Sequence, residues 1–408
     1  MHRVGKTAAP KKPATSKSSL IPFPFERIEE TFDSGRDLVC FSHLRWDFVY
    51  QRPQHLMTRF AREGRVFYVE EPQFGSSQTK LSMRVDGSGV CVVIPELTDD
   101  TPESRASIKG MLKGMFSECR IRNCIKWYYT PMAMAFTRDL PCSVLVYDCM
   151  DELSLFRGAP RELTDYEAEL MRRADVVFTG GFSLYEAKRS RHPNVHPMPS
   201  SIDVEHFKQA RASLKEPADQ ECIAGPKLGF AGVIDERMDI DLLANVADSH
   251  PEWQFIMIGP VVKIDPAVLP GNRNIHYLGQ KSYGDLPSYI AKWDVALMPF
   301  ASNEATRYIS PTKTPEYLAA GRPVVSTPIR DVVHTYKDLV RIAETPEAFG
   351  KAITDSLEER QNAKRFEEWL TRADRFLANT SWDRTWEAMM TLIDSAIATR
   401  DVARANAS

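Results

Sequence analysis

Short apolar runs alternate with amphipathic stretches over most of the chain. In the first half DLVCFSH (from Asp37), RVFYVEE, GVCVVIP, IKWYYT, SVLVYD and ADVVFTG each read as a strand. Their near-continuous apolar content suits strands buried on both faces. A helix starting near Pro53 (PQHLMTRFAREG), a helical stretch over 103–116 and further helical segments lie between them. That order predicts a parallel sheet covered by helices on both sides. The pattern then starts again. KLGFAGVIDERMDIDLLANVADSHPEWQFIMIGP is strand, glycine-bearing loop, helix and strand, and NIHYLGQKSYGDLPSYIAKWDVALMPF is a further strand–helix–strand unit. Residues 208–226, polar and without strand character, read as the linker between the halves. The chain from about 360 to 399 is helical, and in SWDRTWEAMMTLIDSAIA the Trp, Met, Leu and Ile recur at helical spacing behind a Ser cap. Spacing alone leaves open which half this last helix packs on.

One stretch concentrates local signals: Pro299 to Pro328, PFASNEATRYISPTKTPEYLAAGRPVVSTP. It reads as strand end, polar loop, short helix, tight stop and buried strand. Ser310-Pro311 and Thr314-Pro315 each place a capping hydroxyl before a proline, and either could be the helix start. Gly321 supplies a left-handed stop, Pro323 prevents the helix resuming, and Val324 and Val325 re-enter a sheet. The unpaired N–H groups of a helix N-terminus attract phosphate. Lys313 adds a mobile cation there, and Glu316, one turn deeper, could accept two hydrogen bonds from a vicinal diol. Phosphate beside ribose describes a nucleoside diphosphate. The plainer alternative is a capped surface helix whose Glu complements the helix dipole.

With 408 residues the chain has room for two domains, each with its own core. A net charge of −3 argues against nucleic acid as a partner. The seven cysteines are scattered, with no CxxC and no Cys/His zinc spacing, so no metal site is read and a reducing cytoplasm fits. No apolar run reaches the ~18–20 residues of a spanning helix. Residues 1–35 read as a disordered basic tail carrying Arg3, Lys6, Lys11, Lys12 and Lys17. It is either a solvated extension or a weak tether to the anionic inner face of the membrane.

In open parallel sheets ligands sit beyond the carboxyl ends of the strands. Two clusters occupy that place in the first half, where no GxGxxG follows the first strand. HLRWDFVYQRP gathers His43, Arg45, Trp46 and Arg52 in one loop, a density that suits ligand contact better than packing, the alternative being a Trp-anchored surface loop. YDCMDE places Asp148 and Asp151 after a strand, as acid/base groups or, equally for Asp151, as a helix cap. In the second half Gly232 lets a loop bend towards a ligand, and Arg237 follows it with a fork suited to phosphate oxygens or, alternatively, a surface role.

The run SPTKTPEYLAAGRPVV is similar to the SPxKxxEYLAAGxPVV segment of retaining glycosyltransferases with the GT-B fold, of the group 1, family 4-like kind. VHPMPSSIDVEHF resembles the family's PNGVDxxxF segment: Asp203 and Phe207 match, and Ser200-Ser201 replace Asn-Gly. The resemblance implies an α/β architecture of two Rossmann-like, doubly wound domains facing across a cleft. The acceptor-side domain would be residues 36–207, the donor domain 227–380, with a helix over 381–400 returning to the first domain. It implies that Glu316 holds the donor ribose and that Ser310, Thr312 and Lys313 hold the diphosphate beside the Gly232 loop. Leu278, Gly279 and Gln280 would line the base pocket. Asn303 and Glu304 would lie near the hexose, although many relatives carry a second Glu where this chain has Tyr308.

The implied reaction transfers a sugar from a UDP- or GDP-sugar to a hydroxyl of a carbohydrate or lipid-linked acceptor. Arg237 and Lys313 would stabilise the departing diphosphate without a metal, and no cofactor would be permanently bound. Asp148 and Glu304 complete the catalytic set, while His43, Arg45, Trp46, Arg52 and Asp151 lie on the acceptor side. The expected setting is cell-surface polysaccharide or glycolipid synthesis by a monomer or weak dimer. Rival readings are a sugar-nucleotide epimerase of the same architecture, which needs an acid/base pair around the hexose, and a non-catalytic sugar-nucleotide-binding protein.

Overall fold

A computed structural model describes residues 36–406 of the chain; the basic tail read in residues 1–35 lies outside the described residues. The first sheet has nine strands. Its parallel centre runs, side by side, through Cys91–Leu97, Val66–Glu70, Leu38–Ser42, Ile125–Tyr128, Val144–Cys149 and Val176–Thr179. Every residue of Leu38–Ser42 is buried, and alternation sends Val39 and Phe41 to one face, Leu38 and Cys40 to the other. The Val39 face is covered by helix Pro102–Glu118 through Ile108, Leu112 and Met115. The Leu38 face is covered by helix Arg52–Phe60 and by the last helix, Trp382–Asn406, through Trp382, Met389 and Ile393. The open question about that helix is thus answered: it packs on the first domain.

Four strands escape the sequence reading: the short Gln73–Phe74, Val195–Pro197 and Val340–Ile342, and the longer Lys80–Val85. Lys80–Val85 pairs antiparallel with Cys91–Leu97, turning at Gly89 in the left-handed region (φ +88°). Its residues are half-buried or exposed apart from Leu81, so it lacks the apolar run that marks the others.

The second sheet is all parallel, with strands ordered Ile275–Gly279, Gln254–Ile258, Lys227–Ala231, Val295–Met298, Val324–Ser326 and Val340–Ile342. Residues 208–226, read as linker, carry short helices that dock on this domain. Gln220 is fully buried, accepts from Trp293 Nε1 at 3.0 Å and donates to Tyr289 O at 3.1 Å.

The two domains touch directly. The Asp331 carboxylate of the second accepts the backbone N–H of Ser183 in the first at 2.9 Å. The Phe182 ring stacks on His334 with centroids 3.8 Å apart. Gly181 permits this approach, since a Cβ there would fall 1.9 Å from Asp331 Oδ2. On the other side Trp382 stacks on His55 at 4.6 Å.

Trp382 is 1% exposed and fastens the start of the last helix to the first domain. Trp382→Ala is expected to cost ~3–5 kcal/mol in denaturant unfolding. A loss below ~1 kcal/mol would show that the helix is not anchored there.

Candidate active site

A cleft of about 780 Å³ separates the domains. The first domain contributes Trp46 to Tyr50; the second contributes Gly232, Gly259, Gln280 to Tyr283, and Lys313. All of these follow the carboxyl ends of parallel strands, where a sheet of this kind leaves its loops free. The second-domain loops are stacked by backbone contacts. Gly232 N–H donates to Ile258 O at 2.9 Å, and Gly259 N–H to Gly279 O at 3.0 Å. Gly259 has φ +144° and a Cβ there would sit 1.8 Å from Gly232 O. Sequence reasoning chose Gly232, Gly279 and Gln280 and missed Gly259, although the IMIGP run that carries it is a strand followed by a glycine.

The short helix spans Lys313–Ala319, and its N-cap Thr312 makes no side-chain capping bond. Neither Ser310 nor Thr314 caps it; Thr314 is fully buried with its hydroxyl towards Met298 Sδ at 3.4 Å. The stop is as read. Gly321 has φ +68°, its N–H donates to Leu318 O at 3.0 Å, and Arg322 N–H donates to Tyr317 O at 2.9 Å. Ala231 N–H donates to the Tyr317 hydroxyl at 2.8 Å, which ties the helix to the strand leading into Gly232.

Glu316 is 6% exposed, and Lys313 Nζ lies 2.6 Å from its Oε2. Lys313 is therefore not the mobile cation expected, nor Glu316 a vacant acceptor: the two neutralise each other. Burial raises the Glu316 pKa, and the nearby Lys313 opposes that rise. Around them stand residues that sequence reasoning passed over. Tyr283 stacks on His206 at 4.3 Å and lies 4.7 Å from the Tyr50 ring. Among the described residues the Tyr283 hydroxyl is buried without a hydrogen-bond partner.

Arg237 is held by a fork to Asp235, with Nε to Oδ1 at 2.9 Å and Nη2 to Oδ2 at 2.7 Å. Burial works against its charge, but this pairing outweighs it and raises the pKa. Arg237 lies over the Phe156 ring of the first domain at 5.6 Å, and Lys263 lies over the same ring at 4.8 Å. Two cations of one domain thus clasp an aromatic ring of the other. Asp151 sits among them: burial pushes its carboxyl up to about 6, opposed by Arg237, Lys263 and Arg52. His43 is pushed down to about 4 by burial and by Lys263, so its imidazole is neutral at pH 7. Asp235, Phe156 and Lys263 were not among the residues singled out. Their signals are a lone acid, a lone ring and a lone base in separate loops, and only the fold assembles them.

The loop before the helix is tied to Arg237. Ala301 N–H donates to Arg237 O at 2.8 Å and the Asn303 amide to Glu236 O at 3.0 Å. Asn303 also caps the turn Glu304–Thr306 through Thr306 N–H. Glu304 is exposed, 3.7 Å from Arg307. The Tyr308 ring packs against the first-domain core. Leu278 is half-buried against the second-domain core, and Ser310 is half-buried just ahead of the helix.

Four of the expected site residues are tied into the protein instead of standing free. Asp148 and Arg52 are 0% and 1% exposed and bind one another through hydrogen bonds of 2.8 and 2.9 Å, with Arg52 also reaching Met198 O at 2.7 Å. They fasten helix Arg52–Phe60 to strand Val144–Cys149 and offer a substrate no free edge. Trp46 is 7% exposed, donates from Nε1 to Asp86 at 2.7 Å and lies against the Tyr68 ring at 4.8 Å. Arg45 pairs with Glu70 at 3.0 Å, and Glu70 also accepts the Trp46 N–H at 2.8 Å. Trp46 and Arg45 anchor the loop, and Trp46 together with the tip, Asp47 to Tyr50, lines the cleft. Among the described residues no three His, Cys, Asp or Glu side chains cluster to hold a metal ion, and no helix is long and apolar enough to cross a membrane.

Residues 225–359 match the family model of glycosyl transferases group 1. A Bacillus subtilis (strain 168) protein named for glycosyl transfer in teichuronic acid biosynthesis, TuaH, is 24% identical over 225 residues, 50% of this chain. The match spans 55% of that relative's length. Among solved structures, sucrose-phosphate synthase from Thermosynechococcus elongatus superposes with a TM-score of 0.68 at 15% identity, over 89% of this chain and 100% of the other. The catalytic domain of starch synthase IV from Arabidopsis thaliana, bound to ADP and acarbose, gives 0.64 at 10% identity, over 90% and 100%. HepE of Anabaena in complex with UDP gives 0.59 at 12% identity, over 88% and 100%. The fold is GT-B, and the second domain carries the group 1 glycosyltransferase signature.

Gly259→Ala is expected to cost more than ~2 kcal/mol of stability, because it strains the backbone and pushes the Gly232 loop away. Gly271, with open space around its Cβ position, is the control. Gly271→Ala should stay within ~0.5 kcal/mol in the same urea titration. Equal effects would refute the stacked-loop account.

Proposed function

We propose that this chain is a retaining glycosyltransferase that moves a sugar from a UDP-sugar to a hydroxyl of a carbohydrate or lipid-linked acceptor in cell-surface polysaccharide synthesis. The observation that carries this reading is the buried Glu316 paired with Lys313 at the edge of the interdomain cleft, on a helix tied to the Gly232 strand. A donor entering there exchanges partners. Its ribose diol donates to Glu316, and Lys313 turns to the diphosphate, so neither charge is left bare. Arg237, already oriented by Asp235, then meets the negative charge that grows on the leaving diphosphate as the glycosidic bond breaks. The UDP held by the Anabaena neighbour and the polysaccharide named for the Bacillus relative support the donor and the setting. Retention rests on the family resemblance.

The acceptor approaches from the first domain, past His43 and Asp151. Asp151 takes up a proton near pH 6 and stands beside Lys263 and Arg237, which suits it to orient a hydroxyl. The epimerase reading has three acid/base candidates, Asp148, Glu304 and His43, and it loses ground because Asp148 is locked to Arg52 and Glu304 is exposed, which leaves His43. Incubating the protein with a UDP-sugar alone separates the readings: slow hydrolysis or no turnover fits a transferase, and accumulation of an epimer fits the rival.

Arg237→Ala is expected to lower kcat about a hundredfold, ~3 kcal/mol, while changing donor affinity less than about threefold. Arg237→Lys, which keeps a charge beside Asp235, should recover part of the loss. Equal losses in kcat and donor affinity would reject a role confined to the transition state.

A further inference from the structure

A second cavity, of about 260 Å³, opens at the other end of the first sheet from the cleft, where strands Ile125–Tyr128 and Val144–Cys149 begin. Four cations line it: Lys126, Arg138, Arg173 and Arg400. Two carboxylates answer them. Glu169 takes Arg138 at 2.8 Å and Arg173 at 3.1 Å, and Asp175 takes Arg400 at 2.7 Å. Four cations against two carboxylates leave two positive charges over, one on the Arg138 and Arg173 pair that shares Glu169 and one on Lys126, which is 1% exposed. Its ammonium donates to Thr137 O at 3.2 Å and Leu140 O at 2.8 Å, and among the described residues it forms no ion pair. Those carbonyls satisfy two of its three N–H groups but carry no formal charge. Arg138 Nε is likewise buried with no hydrogen-bond partner among the described residues. Burial lowers the Lys126 pKa; Arg173 and Arg400 act the same way, and the thiols of Cys142 and Cys124 oppose them.

A buried cation without a counter-charge is costly, and donors left unmade add to the cost. A compact anion seated against Lys126 would remove both. We propose that this cavity is an anion site that takes a phosphate group, whether of a free phosphate or of a lipid headgroup. Phosphate fits because several oxygens can accept from forked guanidinium groups at once. Arg400 comes from the last helix, so occupancy would also tie that helix to the first domain. The site owes nothing to the glycosyl-transfer reading.

Cys142 reports on the cavity directly. It is half-buried in the wall, with its sulfur 3.9 Å from Arg400 Nη1. The test measures iodoacetamide alkylation of Cys142 in the full chain by peptide mass spectrometry, as the ratio of rates with and without anion. Inorganic phosphate at about ten times its Kd should slow alkylation about tenfold, whereas sodium chloride of equal ionic strength should not. Protection should vanish in Arg173→Gln/Arg400→Gln; Arg400→Gln alone serves if the double variant does not fold. Protection by phosphatidic acid vesicles, but by neither inorganic phosphate nor phosphatidylcholine vesicles, would assign the site to a lipid headgroup. No protection by phosphate or by phosphatidic acid overturns the proposal, as does protection that survives in the variants.

Discussion

A carboxylate taken out of water must be met by a counter-charge or by hydrogen-bond donors, or else give up its charge, and Glu316 is that carboxylate here. Breaking such a pair by removing one partner typically costs ~3–5 kcal/mol. On the proposed reading the resting pair with Lys313 is a placeholder: a ligand bringing both a hydrogen-bonding diol and a negative group can part it without leaving a bare charge. Everything near the pair fixes its position. Tyr317 anchors the next residue to strand Lys227–Ala231, Gly321 ends the helix within two turns, and the stacked Gly232 and Gly259 loops bring backbone up to the cleft. A loose pair would be satisfied by water. On the proposed reading a pinned one selects for a nucleoside diphosphate.

The domains meet through the same logic of pairing. Arg237 and Lys263 lie over Phe156 across the gap, and Asp151 stands beside them. Elsewhere, at Gly181, whose Cβ position abuts Asp331 and Ser310, Asp331 accepts the Ser183 N–H, and Phe182 stacks on His334. Cation–ring contacts of this kind are worth ~0.5–2 kcal/mol each. That is small enough to be traded for contacts with a substrate diphosphate.

Much of the architecture was legible because burial on both sheet faces leaves an apolar run that needs no partner to be recognised. The strand Lys80–Val85 was not, because a mostly exposed edge carries no such run. The motif around Glu316 was legible through local chemistry: a proline, an acid one turn in, a glycine stop. What the motif could not convey was where Lys313 points, since a flexible ammonium is placed by its neighbours. Asp148 and Arg52 look alike to substrate contacts on the page of a sequence, both polar and both next to a strand end. Their bond joins residues 96 apart, and no local pattern records it. Lys263 and Asp235 were missed for the same reason.

The most direct test of the pinned-pair account compares the affinity of uridine diphosphate with that of its 2′,3′-dideoxy analogue by calorimetry. Two hydrogen bonds from the ribose diol to a buried carboxylate, each worth ~1.5–3 kcal/mol, predict a loss of at least about a hundredfold on removing the hydroxyls. Affinities that agree within about twofold would show that Glu316 does not grip the ribose, and would contradict the account.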